Sequence, residues 1–199
     1  MSRSDRYTPL YSARVGEALA FAADAFAHVV RKGSGVPYIT HLLQVMVHVA
    51  EHGGDEDQMI AAVLHDYLED IEGGSADELE RRFGPRVRDF VERLSDTTTR
   101  PKPPWKERKL RYITTLREEP DELKLISVAD KLHNATSILR DYGRLGDEVF
   151  ARFTAPRHET LWYYREVVAA LGHGFSHPLL DQLRDVVKRI HHDVGVPYP

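Results

Sequence analysis

The sequence predicts an all-α protein that forms a single domain. Apolar residues recur mostly at the three- and four-residue spacing of amphipathic helices, and long alternating runs of β-branched residues are missing. A chain of 199 residues, 42% of them hydrophobic, suffices for one sizeable core but is short for two full domains. No internal repeat or long linker divides the chain. We therefore expect one helical domain over residues 1–199.

The bounds of the predicted helices follow from this spacing and from glycine, proline and capping residues. Gly53-Gly54 ends one helix, and Asp55 is placed to cap the next. Ser75 can cap another helix in the same way. The prolines of DTTTRPKPP, residues 96–104, predict a loop. The predicted helices cover residues 10–31, 39–52, 56–70, 76–82, 84–95, 105–118, 121–140, 146–152, 157–171 and 176–193.

The composition excludes several classes of site and partner. The chain has no cysteine, so disulfides and thiolate metal sites are excluded. Its formal net charge is -4, so the chain lacks the excess of positive charge that proteins binding long nucleic acids carry, which argues against such a partner. The stretch 1–17 is polar, and no stretch approaches the roughly 18 uninterrupted apolar residues of a membrane span. We expect a cytoplasmic protein that binds no membrane, and the sequence is compatible with a homo-oligomer.

The most informative motif is HDYLED, residues 65–70, which ends the apolar run MIAAVL. On a helix, His65 lies on the same face as Glu69, and Asp66 on the same face as Asp70. Three carboxylates and an imidazole at the end of a buried helix are costly to desolvate without a cation. A divalent metal ion supplies that cation. An adjacent His-Asp pair is weak evidence by itself, because it also describes an exposed helix end.

Two distant segments strengthen the metal interpretation. His41 lies just inside a predicted helix, after a turn that contains proline. Asp130 lies in the middle of a strongly apolar helical stretch, where an unpaired aspartate is rare. Each has an ordinary explanation, as a surface histidine or as an aspartate paired with a lysine. The order His, His-Asp, Asp makes a metal site the better interpretation of all three segments together.

This ordered pattern resembles the signature of the HD phosphohydrolase superfamily. Within it, the chain is similar to the hydrolase domain of RelA/SpoT-type enzymes and to small alarmone hydrolases, which remove the 3′-pyrophosphate from (p)ppGpp with manganese. The resemblance implies an HD-domain helical bundle with core motifs over about 20–140, further helices over 146–193, and no synthetase domain. The matching stretches are AFAHVVRKGSGVPYITHLLQV (25–45), IAAVLHDYLED (60–70), FGPRVRDFV (83–91) and LISVADKLHNATSIL (125–139).

The resemblance also implies roles for individual residues. The positions that match the metal ligands are His41, His65, Asp66 and Asp130. Glu69 and Asp70 match the acidic pair that positions or activates the attacking water. The positions that match residues near the nucleotide are Arg31, Lys32, Asn134 and His28.

The residue types fit this chemistry independently of the family. Imidazoles together with carboxylates suit one Mn²⁺ or a similar first-row ion. Such an ion orients a water, lowers its pKa and neutralises charge on phosphoryl oxygens. Glu69 and Asp70 are then expected to accept the proton of that water, and their proximity should raise the pKa of one of them.

The chain departs from the family pattern in places that concern the substrate. The usual RKSG reads RKGSG, one residue longer, and the usual GVTK near residues 93–98 reads RLSDTT. The basic residues that follow are interpreted mostly as a solvated helix face. Lys102 and Lys106 are the best candidates for a mobile flap that grips phosphate. Lys131 is expected at the surface at least as readily as in the site, and His133 is expected to be a buried, hydrogen-bonded histidine.

Three functions remain open at this point. The leading hypothesis is a 3′-pyrophosphohydrolase that acts on a small nucleotide, (p)ppGpp or (p)ppApp. The alternative is an HD-type nucleotidase or phosphohydrolase for another nucleotide or phosphate ester, which the extra glycine of RKGSG favours. A non-catalytic nucleotide-binding or metal-binding module is disfavoured, because the ligand set and the Glu69-Asp70 pair are complete.

Overall fold

A computed structural model describes residues 10–198, and these are helical apart from turns, loops and one isolated antiparallel bridge between Val30 and Pro37. The predicted all-α class is confirmed. Most of the polar N-terminal stretch, residues 1–9, lies outside the described residues. The helices are α1 (Ala13–Ala25), α2 (Ile39–Glu51), α3 (Glu56–Leu64), α4 (Tyr67–Asp70), α5 (Ala76–Phe83), α6 (Pro85–Leu94), α7 (Trp105–Glu118), α8 (Asp121–Leu145), α9 (Arg157–Leu171) and α10 (Pro178–Asp193), with a 3₁₀ segment, Gly146–Arg152, between α8 and α9.

Helices α3 and α8 form the centre of the packing. The five residues from Ile60 to Leu64 on α3 are fully buried, so the end of this helix has no solvent-facing side. On α8 every residue from Leu123 to Asp130 is buried, and this helix packs against α2, α3, α9 and α10. Residues of α1 and α10 join the same hydrophobic cluster. The predicted ligands His65 and Asp66 directly follow the buried end of α3, and Asp130 lies in the buried part of α8.

The predicted caps set where α3 begins. Asp55 Oδ1 accepts a hydrogen bond from the Gln58 backbone N–H at 2.9 Å, and Gln58 Oε1 accepts one from the Asp55 N–H at 2.9 Å. This reciprocal pair satisfies two of the N–H groups that a helix start leaves without partners. Gly53, with φ +85°, makes the turn before it, a conformation that glycine adopts without strain. Ser75 caps α5 as expected.

The first helix is shorter than the sequence predicted, because the chain reverses direction soon after Ala25. The predicted helix reached residue 31, whereas α1 ends at Ala25 and a tight turn follows. The Arg31 backbone N–H donates to Val36 O at 2.8 Å across this turn. Gly33 and Gly35 have φ values of +73° and +67°, and a non-glycine residue would be strained there. All five residues of RKGSG, 31–35, lie in this turn, between the bridged residues Val30 and Pro37.

The predicted helix 56–70 is interrupted at the His-Asp pair. Helix α3 ends at Leu64 and α4 begins at Tyr67, while Asp66 has φ -93° and ψ 0°, a sparsely populated conformation between the helical and extended regions. The Asp70 N–H still donates to Asp66 O at 2.8 Å, so the four-residue spacing survives the break. Among residues 10–198, no helix combines the length and apolarity that crossing a membrane requires.

Candidate active site

The four predicted metal ligands converge from three separate parts of the fold. His41 comes from α2, His65 and Asp66 from the break between α3 and α4, and Asp130 from α8. His41 Nε2 lies 3.7 Å from Asp66 Oδ2 and 3.3 Å from Asp130 Oδ1. His65 Nε2 lies 3.0 Å from Asp66 Oδ2 and 3.7 Å from Asp130 Oδ1. Ligand atoms of His41, His65 and Asp66 all lie within 4.8 Å of one another, and Asp130 Oδ1 approaches both imidazoles from α8. Bonds of about 2.1 Å to a first-row ion place neighbouring ligand atoms about 3.0–3.5 Å apart, so the first three residues form a compact candidate metal site and Asp130 adjoins it.

Both imidazoles present their Nε2 atoms to the carboxylates because Nδ1 is engaged elsewhere. His65 Nδ1 lies 2.8 Å from Ala62 O, and since a carbonyl only accepts, Nδ1 carries the proton. His41 Nδ1 lies 2.7 Å from His133 Nδ1. Within the described part of the chain, both Nε2 atoms are buried and make no hydrogen bond. A buried nitrogen without a partner is costly, and a cation between the four groups would remove that cost.

The two carboxylates are also held by neighbours. Tyr38 donates its hydroxyl hydrogen to Asp66 Oδ2 at 2.7 Å. Asn134 Nδ2 donates to Asp130 Oδ1 at 2.5 Å, and Lys131 Nζ donates to Asp130 Oδ2 at 2.5 Å. Tyr38 was not among the predicted site residues, although it precedes His41 by three residues, the spacing of one helical turn. These contacts fix the direction in which each carboxylate points.

The electrostatics of the site favour a bound cation. Burial opposes the charge of Asp66, but the neighbouring His65 lowers the pKa of this carboxyl well below its usual value. The pKa of Asp130 is likewise low, because Lys131 and the imidazoles outweigh its burial. Burial lowers the pKa of His41, whereas for His65 the two carboxylates overcome burial and raise the pKa well above its usual value. A proton on His65 thus balances part of the negative charge, and a metal ion would replace it.

The predicted acidic pair lies on α4, beside the four ligand groups. Lys102 Nζ lies 3.0 Å from Glu69 Oε1 and 3.3 Å from Asp70 Oδ1. The Asp96 backbone N–H donates to Glu69 Oε2 at 3.2 Å. Burial raises the pKa of Asp70, the charges of Asp66 and Glu69 raise it further, and Lys102 opposes them. The expected rise in the pKa of one of the two acids is confirmed, and that acid is Asp70.

A group of cations adjoins the acidic pair, and two of them, Arg108 and Lys109, were expected on a solvated helix face but are largely buried. Lys102, Arg108 and Lys109, here called the cationic cluster, lie around Glu69 and the buried Asp96. Asp96 Oδ2 accepts hydrogen bonds from Arg108 and from Lys109, the latter at 2.8 Å, and Arg108 Nη1 lies 3.9 Å from Glu69 Oε1. The predicted loop 96–104 is confirmed, and it brings these residues against α4. No local sequence pattern predicts that these cations meet Glu69, because Asp96 and Glu69 are far apart in sequence.

Three of the predicted substrate residues adjoin the ligand groups. Arg31 Nη2 donates to Asn134 Oδ1 at 2.8 Å, and Asn134 in turn contacts Asp130, so the RKGSG turn is linked to the site. Lys102 is the third, through the acidic pair.

The other three lie away from the ligand groups. Lys106 Nζ is 3.2 Å from the centroid of the Trp162 ring and 3.8 Å from Glu159 Oε1, so this side chain is directed towards α9. Lys32 and His28 are exposed in the turn between α1 and α2. Within residues 10–198, neither makes a hydrogen bond or ion pair with a ligand group.

The sequence left two positions open for Lys131, at the surface or in the site, and the structure places it in the site. Its side chain is only 14% exposed and is paired with Asp130. The cause is the packing of α7 and α9 over this side of α8, which places the ring of Tyr112 5.0 Å from Lys131 Nζ. The prediction that His133 is hydrogen-bonded is confirmed by its contact with His41, although His133 is half-buried rather than fully buried.

Comparison with known proteins agrees with this geometry. A family model described as the HD domain matches residues 18–161, about seven-tenths of the chain. The chain belongs to the HD domain family. A mouse protein named guanosine-3′,5′-bis(diphosphate) 3′-pyrophosphohydrolase MESH1 is 37% identical over 136 residues, which are 67% of this chain and 72% of that protein. The bifunctional (p)ppGpp synthase/hydrolase SpoT of Escherichia coli is 32% identical over 162 residues, 80% of this chain and 22% of SpoT.

A solved structure is also similar to this HD domain. A metazoan ortholog of SpoT, described as hydrolyzing ppGpp, aligns with a TM-score of 0.76 and 25% sequence identity. The alignment covers 92% of this chain and 97% of that one. The similarity therefore extends well beyond the segments that carry the motifs.

His133→Phe is expected to weaken metal binding about 10- to 100-fold, the usual loss when the partner of a metal-binding histidine is removed. The phenyl ring preserves the packing on His41 but cannot accept the hydrogen bond from His41 Nδ1. Calorimetric titration of Mn²⁺ into chelator-treated protein measures the change. His192→Phe, at the exposed end of α10, is the control and should bind like the unaltered protein. Equal affinity in the two variants would contradict a role for His133.

Proposed function

We propose that this protein hydrolyses the 3′-pyrophosphate of (p)ppGpp or (p)ppApp and releases pyrophosphate. The observation that carries the proposal is the approach of two unpartnered imidazole nitrogens to two ionised carboxylates, directly beside a second pair of acids. The names of the mouse and E. coli relatives supply the substrate class. The guanine and adenine forms stay together in the proposal because no contact described above distinguishes the bases.

We propose that one Mn²⁺ ion is held by His41, His65, Asp66 and Asp130. Two neutral imidazoles and two carboxylates form a mixed nitrogen and oxygen set, which suits Mn²⁺ and similar first-row ions. A divalent ion here supplies Lewis acidity and positive charge to a phosphoryl group and to the water that attacks it. The Nε2 atoms of both histidines support this assignment, because they are buried, lack a hydrogen-bond partner and face the carboxylate oxygens of Asp66 and Asp130.

The acidic pair is proposed to move the proton. The water oxygen forms a bond to the phosphorus attached to the 3′-oxygen, the bond from that phosphorus to the 3′-oxygen breaks, and the 3′-oxygen takes up a proton. Asp70 is the better proton acceptor, because burial and its acidic neighbours raise its pKa towards neutrality, where a general base is effective. Glu69 is held on both oxygens, by Lys102 and by the Asp96 N–H, and it orients the water.

Cations around the site are proposed to bind the phosphates. The substrate brings several negative charges to a site that already contains four carboxylates, so nearby positive charge is required. The cationic cluster lies on the α4 side, and Arg31 lies beside Asn134. Lys32, His28 and Lys106 are exposed enough to reach the outer parts of a nucleotide, and they are proposed as its peripheral contacts.

Incubation of the Mn²⁺-loaded protein with ppGpp tests the proposal. We expect GDP and pyrophosphate in equal amounts, and neither product from the Asp66→Ala variant. A panel of other nucleotides is tested in parallel, because the extra glycine of RKGSG is the feature that favours the nucleotidase alternative. Cleavage of another nucleotide while ppGpp stays intact would replace the proposal with the HD-type nucleotidase. Bound metal with no turnover of any phosphate ester would indicate a binding module.

A further inference from the structure

The two oxygens of Asp130 have different partners. Oδ1 faces both imidazoles, at 3.3 Å from His41 Nε2 and 3.7 Å from His65 Nε2, and it accepts a hydrogen bond from the neutral amide of Asn134 at 2.5 Å. Oδ2 faces the other way and accepts a hydrogen bond from Lys131 Nζ at 2.5 Å. A carboxylate is symmetric, so its environment alone determines which oxygen is turned towards the metal site. Lys131 is the cation that distinguishes the two oxygens.

Lys131 itself has little freedom to move. Its side chain is 14% exposed, and among the described residues Asp130 is its one ion-pair partner. The Tyr112 ring of α7 lies 5.0 Å from its ammonium group, within the range of a cation–π contact. Tyr163 of α9 is buried beside the same ammonium group. A lysine enclosed in this way holds a fixed position, unlike a solvent-exposed lysine that samples many rotamers.

We propose that Lys131 is a positioning residue, which holds Asp130 so that Oδ1 alone is presented to the metal ion. This inference rests on the metal site of the proposed function. In this scheme α7 and α9 contribute to metal binding indirectly, because the rings of Tyr112 and Tyr163 restrict the position of Lys131. None of these three residues contacts the ion in this scheme, and each acts through Asp130.

The sign of the effect on metal affinity separates positioning from a simple charge effect. A positive charge close to a metal ion repels it, so removal of a lysine that contributes only charge would tighten metal binding. Removal of a lysine that orients a ligand would weaken metal binding, because the carboxylate must then be ordered when the ion binds. The two effects have opposite directions, and the titration of metal alone distinguishes them.

The test compares Lys131→Met, which keeps the length of the side chain without its charge, with Lys131→Arg, which keeps a charged donor. Mn²⁺ is titrated calorimetrically into the full-length, chelator-treated proteins. We expect Lys131→Met to raise the Kd for Mn²⁺ about 10- to 100-fold and Lys131→Arg to restore most of the affinity. Lys188→Met is the matched control, because Lys188 is an exposed lysine on α10, and this variant should bind Mn²⁺ like the unaltered protein.

Two further measurements exclude a merely structural role. Thermal unfolding of the metal-free proteins reports stability, and the visible absorption of bound Co²⁺ reports the ligand geometry, which should change in Lys131→Met. A variant with a lower melting temperature but an unchanged Kd and Co²⁺ spectrum would overturn the inference, as would tighter binding. If Lys131→Met does not fold, Lys131→Gln takes its place with the same criteria. Metal binding is measured without substrate, so the result stands even if the protein does not hydrolyse an alarmone. An unaltered protein that binds no metal would contradict both the role of Lys131 and the proposed function.

Discussion

Asp130→Ala is expected to retain no metal ion and to lose turnover down to background. The substitution removes Oδ1, the atom that both His41 Nε2 and His65 Nε2 approach within 4 Å. It also leaves the buried ammonium group of Lys131 without its counter-charge. The loss of a catalytic metal removes several kcal/mol of transition-state stabilisation, so we expect a rate reduction on the order of 10³-fold or more. Elemental analysis of the purified protein and steady-state kinetics measure the two effects.

Asp130→Asn is studied alongside, because it preserves the volume of the side chain and so limits any loss of folding. Asp24→Ala, an exposed acid on α1, is the control and should keep both metal and activity. Purification of folded Asp130→Ala with a full equivalent of tightly held metal would show that Asp130 is not a ligand, and the four-residue site would have to be abandoned.

Glu69→Ala is expected to keep its metal and lose rate. Glu69 lies on α4 with its oxygens held by Lys102 and by the Asp96 N–H, and it does not belong to the group of atoms that surrounds the imidazole nitrogens. Loss of a group that orients the attacking water or accepts its proton typically costs about 10²- to 10⁴-fold in kcat. We expect that loss in kcat and an unchanged metal content. Steady-state kinetics and elemental analysis on the same preparations give the two numbers.

Glu72→Ala provides the matched control, because Glu72 is an exposed acid three residues further along the chain. It should leave kcat and metal content unchanged. Glu69→Gln is included because the amide can still accept the Asp96 N–H, which separates the loss of charge from the loss of the contact. A Glu69 variant that loses metal and rate together would make Glu69 a ligand, and one with full kcat would remove it from the mechanism.

The sequence alone determined the helical class, most helix positions and the four candidate metal ligands. Periodicity and capping residues act over a few positions, so Asp55, Ser75 and the loop 96–104 were predicted correctly from their neighbours in the chain. The motif HDYLED and the buried Asp130 were visible for the same reason, since polar groups in an apolar helical stretch demand a partner. The roles carried over from the HD family attach to these same positions.

The tertiary structure alone decided which groups meet. The pairing of His41 with His133, the enclosure of Lys131, and the contact of the cationic cluster with Glu69 all join residues on different helices or loops. Helical spacing specifies which residues share a face of one helix, but it does not specify which face of another helix lies opposite. Lys131 shows the difference. Its angle from Asp130 along α8 made a solvent-exposed side chain at least as plausible as a buried one, but the packing of α7 and α9 buries it.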